Sequence, residues 1–113
     1  MRVVDSARME PQEVEEQGAE GVTVRWLIAR PEGAPNFAMR LFEVKPGGHT
    51  PRHAHAWEHE VFVLEGEMEV VREEGTTAVG SGTALLVLPN EGHQFRNTGA
   101  QPVRFLCLIP LPE

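Results

Sequence analysis

Eleven glycines and nine prolines are spread through the 113 residues, and this punctuation limits the fold more than any other feature. Glycine weakens a helix interior and proline removes a backbone donor, so the chain favours many short strands over long helices. The segments between the breakers read accordingly. Val22-Thr23-Val24-Arg25-Trp26-Leu27-Ile28 alternates, with Val22, Val24, Trp26 and Ile28 on one face. After a loop at Pro31-Glu32-Gly33-Ala34-Pro35, Phe37 to Val44 predicts the next strand, and Lys45-Pro46-Gly47-Gly48 predicts a turn. Glu67 to Arg72 alternates as a half-buried strand, Glu73-Glu74-Gly75-Thr76 is a hairpin turn, and Thr77-Ala78-Val79 returns. Ala84 to Leu88 is apolar throughout, which predicts burial on both faces. Val103 to Ile109 closes the set, with Phe105 and Cys107 facing inward because Arg104 must face water. Strands at this spacing imply an all-β fold, an antiparallel β-sandwich or barrel of jelly-roll type.

Within this framework four of the five histidines, His49, His53, His55 and His59, fall in eleven positions. His53 and His55 are two apart, a spacing that sets both imidazoles on one strand face with Cα atoms roughly 6.6 Å apart. That is close enough to share one ion at nitrogen-metal distances of about 2.1 Å. His59 joins them only if the chain reverses at Ala56-Trp57-Glu58, after which His59 opens the strand Glu60-Val61-Phe62-Val63-Leu64 and returns beside them as in a hairpin. A helical reading, with His55 and His59 one turn apart, is opposed by Pro51, the β-branched run Val61 to Val63 and Gly66.

Two spacings in this chain resemble the cupin motifs. The first is Gly47, five residues, His53-x-His55, three residues, His59, six residues, Gly66. The second is Gly82, five residues, Leu88-x-Asn90, two residues, His93, three residues, Asn97. His59 stands where cupins usually carry glutamate, and Leu88 and Asn90 where proline and glycine are usual. The resemblance implies a cupin barrel, and histidine at that position is similar to small single-domain cupins with four-histidine sites, some of which hold manganese.

The metal ligands expected are therefore His53, His55, His59 and His93, with Glu60 as runner-up ligand or as a partner orienting a ring nitrogen. His49 is expected at the cavity rim, and Glu58 in solvent. Val61, Val63, Phe95, Phe105 and Cys107 are expected to line the pocket, with Trp57 and Met39 as further candidates. Arg40, amid apolar neighbours, could reach a substrate anion, but an outward ion pair is the expected role. Cys107 is expected to be a small buried residue whose thiol, if it points at the ion, could modulate ligand binding. Nitrogen donors suit iron, copper, nickel, zinc and manganese, and the family resemblance places manganese first and iron second.

Four neutral imidazoles leave a divalent ion's charge uncompensated, so the site attracts an anion or an oxygen-derived ligand. The apolar wall expected around it points to dioxygenase-like oxidoreductase chemistry on a small apolar or aromatic molecule. Isomerase, lyase or hydrolase chemistry with the ion as Lewis acid, and a non-catalytic binding module, are the alternatives.

Size and charge narrow the rest. A chain of 113 residues has room for one core, read as an N-terminal arm over residues 1–21 and a single barrel domain over 22–113. The arm is read as extended, pairing at Val3-Val4, or as a short helix near Pro11 to Gln17, and its glutamates as a solvated face. A net charge of −7 argues against nucleic acid. No apolar run approaches a membrane span, the single cysteine suits a reducing compartment, and a cytoplasmic location is the default. Strands apolar on both faces predict a homodimer joined by sheet packing.

Overall fold

The computed structural model describes residues 1–111, and those residues are organised as antiparallel strands with two 3₁₀ turns, Ser6–Arg8 and Arg30–Glu32. The strands are β1 (Gln12–Glu13), β2 (Glu20–Ile28), β3 (Phe37–His49), β4 (His59–Glu65), β5 (Glu67–Arg72), β6 (Gly75–Gly80), β7 (Ala84–Val87), β8 (His93–Arg96) and β9 (Val103–Pro110). They hydrogen-bond in the order β6-β5-β8-β3-β9-β4-β7, with β2 on β3 and β1 on β2. The sheet curls into a half-barrel, the all-β fold expected from the sequence. Among the described residues no helix is long and apolar enough to cross a membrane.

The curl is made by β3. Its first part pairs with β2 and β9, from Phe37↔Pro110 to Val44↔Val103, while its last residue pairs with β8 as His49↔Arg96. Lys45-Pro46-Gly47-Gly48, expected to turn, instead stays in the strand and bends it. Gly47 takes φ +82, and the register with β2 shifts between Glu20 and Val22, where β3 runs five residues from Val44 to His49 against two on β2, so the three extra residues are absorbed as an irregular bulge rather than as a reversal. Gly48 allows the crossing, since a Cβ there would stand 2.6 Å from the Glu20 carbonyl oxygen.

Inward faces follow the period-two pattern. Val61 and Val63 of β4, Met68 and Val70 of β5, Phe95 of β8 and Val103, Phe105, Cys107 and Ile109 of β9 form the core. β7 departs from expectation. Val87 is buried, but Leu86 and the following Leu88 are 55% and 54% exposed, because alternation turns them to the outer face, where Leu86 lies opposite Glu60 of β4 and Phe62 of the same strand is also exposed. One chain leaves that face uncovered.

The N-terminal segment is neither the expected Val3-Val4 pairing nor the Pro11–Gln17 helix. β1 is a two-residue strand in register Gln12↔Val24 and Glu13↔Thr23. The Arg25 Nε donates to the Met9 carbonyl at 3.0 Å, and the Val14 N–H to Val22 O at 3.0 Å. The segment is thereby tied along β2, which carries Glu16 to the mouth of the barrel cavity.

Candidate metal centre and its cavity

The histidines reach one place by separate routes. After Pro51, which has no donor for a ladder, the chain touches the sheet only at His53, which forms an isolated bridge with His93. The His53 N–H donates to His93 O at 3.1 Å, and the His93 N–H to His53 O at 2.9 Å. The strand pair expected around Ala56-Trp57-Glu58 is absent. Residues 54–58 form a loop, and His59 opens β4 opposite Val87 of β7. The imidazoles of His53, His55, His59 and His93 are nevertheless neighbours. Ring centroids lie 4.1 Å apart for His53–His55, 4.8 Å for His55–His59, 5.0 Å for His53–His93, 5.3 Å for His59–His93 and 6.1 Å for His55–His93.

Outer hydrogen bonds orient three of these rings. His53 Nδ1 meets Glu16 Oε2 at 3.1 Å, His93 Nδ1 meets the Glu91 carbonyl at 2.9 Å, and His59 Nδ1 meets Cys107 Sγ at 3.4 Å. A ring that donates from Nδ1 keeps a lone pair on Nε2, which is how metal-binding histidines are usually held. The Nε2 of His59 is buried and has no hydrogen-bond partner, a state that costs free energy unless a ligand meets it. His53 Nε2 and His55 Nε2 stand 3.2 Å apart, between the separations of about 3.0 and 3.4 Å that two donors on one ion at 2.1 Å would take at octahedral and tetrahedral angles. Among the described residues no group of three or more His, Cys, Asp or Glu side chains already stands in ion-holding geometry. The donors fit an ion in type, and three of the rings are held through Nδ1, but side chains would have to move to close the set around an ion.

Burial favours the neutral form of His55, His59 and His93. It pushes His59 down to about 3, helped by the neighbouring imidazoles of His55 and His93 and by Arg40. His55 is lowered by burial and then by His53 and His93. His93 is lowered by burial, against the opposing hydrogen bond to Glu91. Burial raises the Cys107 thiol, with Arg40 opposing it. Neutral imidazole is the form that binds a metal.

The four rings line a cavity of about 470 Å³, bounded also by Val24, Trp26, Arg40, Phe42, Trp57, Phe95, Phe105, Cys107 and Ile109. Phe95, Phe105 and Cys107 are where the sequence places them, and Trp57 belongs with them. Val61 and Val63 face inward but are packed in the core, 2% and 0% exposed, and do not line the cavity; Phe95 and Phe105, edge to face at 5.3 Å, fill the barrel beside them. Met39 has the opposite parity to Arg40 and is not in the wall. Glu60 is exposed, paired across the sheet with Leu86 and Leu108, so alternation removes it from the ligand set and from contact with the rings. Glu58 is exposed as expected. His49 is not at the cavity rim; its Nε2 pairs with Glu20 Oε2 at 3.6 Å on a different surface.

Glu16 gains a place the sequence did not suggest, and Arg40 takes the less expected of its two readings. Glu16, read as part of a solvated charge run, is the carboxylate on His53. Arg40, read as an outward ion pair, lies in the cavity wall with its guanidinium donating to Cys107 Sγ at 3.1 Å. Cys107 therefore contacts the outer nitrogen of His59 and the arginine.

The class of protein follows. The Cupin_2 family model, a cupin domain, matches residues 40–109, and the chain belongs to the cupin family. In structure it is similar to the polyketide cyclase RemF from Streptomyces resistomycificus, with 40% identity and a TM-score of 0.94, covering 99% of this chain and 80% of that one. In sequence it is 31% identical over 113 residues to the polyketide synthase CurC of Streptomyces cyaneus, covering 97% of this chain and 70% of that protein. It is also 31% identical over 71 residues to the 1-methylthio-D-xylulose 5-phosphate methylsulfurylase of Rhodospirillum rubrum, covering 63% of this chain. The chain spans less than half of that relative, 46% of its length.

Proposed function

We propose that this cupin is a metal-dependent enzyme that holds one divalent ion on His53, His55, His59 and His93 and acts on a small apolar or aromatic, polyketide-like molecule. The observation that carries the reading is the buried, unpartnered Nε2 of His59 at a cavity walled mostly by apolar side chains. Likeness over nearly the whole chain to a polyketide cyclase and a polyketide synthase moves the preferred chemistry from oxidation to Lewis-acid catalysis of the cyclase kind. Manganese is the first choice of ion, with iron, copper, nickel and zinc as alternatives.

Held by His53, His55, His59 and His93, such an ion would supply Lewis acidity toward a carbonyl oxygen of the ligand. The chain's own residues do the rest. Glu16, the Glu91 carbonyl and Cys107 hold His53, His93 and His59 through Nδ1, which leaves Nε2 as the nitrogen that would face an ion. Val24, Phe95, Phe105 and Ile109 exclude water from the ligand and favour an aromatic body. Dioxygenase-like oxidation is the second reading, since four neutral donors also suit an ion that binds an oxygen-derived ligand.

Chelator-treated protein titrated with each divalent ion should show a rise in thermal midpoint that His59→Leu abolishes; no rise with any ion refutes the site. Turnover of an aromatic polyketide surrogate in anaerobic buffer supports cyclase-type chemistry, and substrate-linked oxygen uptake supports oxidation. Ligand stabilisation without turnover leaves a binding module. We also propose that Phe62, Leu86 and Leu88 meet a second copy, giving a homodimer.

A further inference from the structure

We propose that Arg40 seats an anionic oxygen of the ligand, so that the cavity selects molecules with an apolar or aromatic body and one carboxylate, phenolate or enolate. This rests on the cavity being the ligand site, as read above, but not on the ion.

Arg40 lies in register with Trp26 of β2 and Cys107 of β9, which puts all three on the inner face. Its guanidinium carbon is 5.2 Å from the Trp26 ring centroid and 4.8 Å from that of Phe42. Two aromatic faces hold the cation in a fixed orientation, but they accept no conventional hydrogen bond. A guanidinium carries five N–H donors and does not deprotonate. Here Nη2 donates to the Cys107 sulfur, a weak acceptor, and Nε is buried with no partner.

Among the described residues no carboxylate pairs with Arg40. The acidic side chain in the cavity wall, Glu16, is 3.1 Å from His53. Arg40 is partly buried, and its Nε, shut off from water with no acceptor, is a donor that costs free energy until a ligand meets it, so the cation faces the ligand space with no counter-charge. A planar fork of this kind matches a carboxylate or an acidic hydroxyl of a ring system.

Calorimetric binding of 2-naphthoate and neutral 2-naphthamide tests this, in chelator-treated and manganese-loaded protein. A parallel pair, ionised 4-nitrophenol against 4-nitroanisole, separates a phenolate seat from a carboxylate seat. The anion of one pair should bind about tenfold tighter or more than its neutral partner in both forms of the protein. Arg40→Met should abolish that preference while leaving binding of the neutral compound within a few-fold. Arg40→Lys should keep part of the preference, which covers the case of a poorly folded Met variant.

Equal affinity within each pair, no binding of either anion at millimolar concentration, or a preference unchanged in Arg40→Met overturns the proposal. A preference seen only with manganese present also overturns it, because the ion would then be the anion's seat, while the metal reading would stand. A preference that survives in protein that binds no ion supports Arg40 and counts against the metal centre alone.

Discussion

Acidification should unfold this protein sooner than its glutamates alone would require, and His59 is the sharpest case. Its ring is held down to about 3 in the fold, chiefly by burial, against an ordinary value of 6.5. A histidine lowered in this way stays neutral in the folded chain while the unfolded chain takes up a proton. Its stabilising contribution is therefore complete above 6.5 and is lost as pH falls from there towards 3. The interval at about 1.4 kcal/mol per pH unit sets a ceiling of about 5 kcal/mol. Because the cavity opens beside Trp57, itself 44% exposed, water screens part of this and about 2 kcal/mol is the expected loss. His55 and His93, lowered in the same direction, add to the slope. Urea midpoints of chelator-treated protein between about pH 7.5 and 5, above most carboxylate titration, give the measurement. Wild type should weaken steadily on acidification, and His59→Leu should show a shallower slope by up to one proton. A flat wild-type profile, or an identical slope in the variant, would refute the reasoning.

Other outcomes follow from single contacts. Asn97, 2% exposed, donates from Nδ2 to Val44 O and Gln101 O and accepts from the Gly99 N–H. Asn97→Ala should cost about 2–3 kcal/mol in chemical denaturation, and Asn97→Asp more, since a carboxylate would face two carbonyls; an Asp variant as stable as wild type contradicts this. Gly66 has φ +85, and a Cβ would stand 2.6 Å from Pro102 O, so Gly66→Ala should lower stability by about 3 kcal/mol, read from the urea midpoint. The proposed homodimer should sediment as a single species of twice the chain mass at micromolar concentration, and Leu86→Lys with Phe62→Lys should shift it to monomer; a wild-type monomer removes the interface.

The period-two patterns at β2, β4, β5 and β9 were readable because each strand meets the core on one face, and burial then leaves an alternating trace in the residues. The Gly-and-spacing pattern around His53, His55, His59 and His93 was readable too, since side chains that meet from neighbouring elements need fixed separations along the chain. Parity alone could have excluded Glu60, which is one residue from the inward-facing His59. Other features depended on contacts distant in sequence. Lys45-Pro46-Gly47-Gly48 has turn composition, yet its close approach to Glu20 decides that it bulges instead.

Residue types and their local rhythm thus determined an all-β chain with four imidazoles gathered at one place. Only the tertiary structure decided that the approach to His59 runs through a loop, that Glu16 from a charged N-terminal run turns onto His53, and that Arg40 points into the barrel against Cys107. The reason is physical. Alternation records which face of a strand is buried, but the partner that meets a charge is set by which strands the curl of the sheet brings side by side.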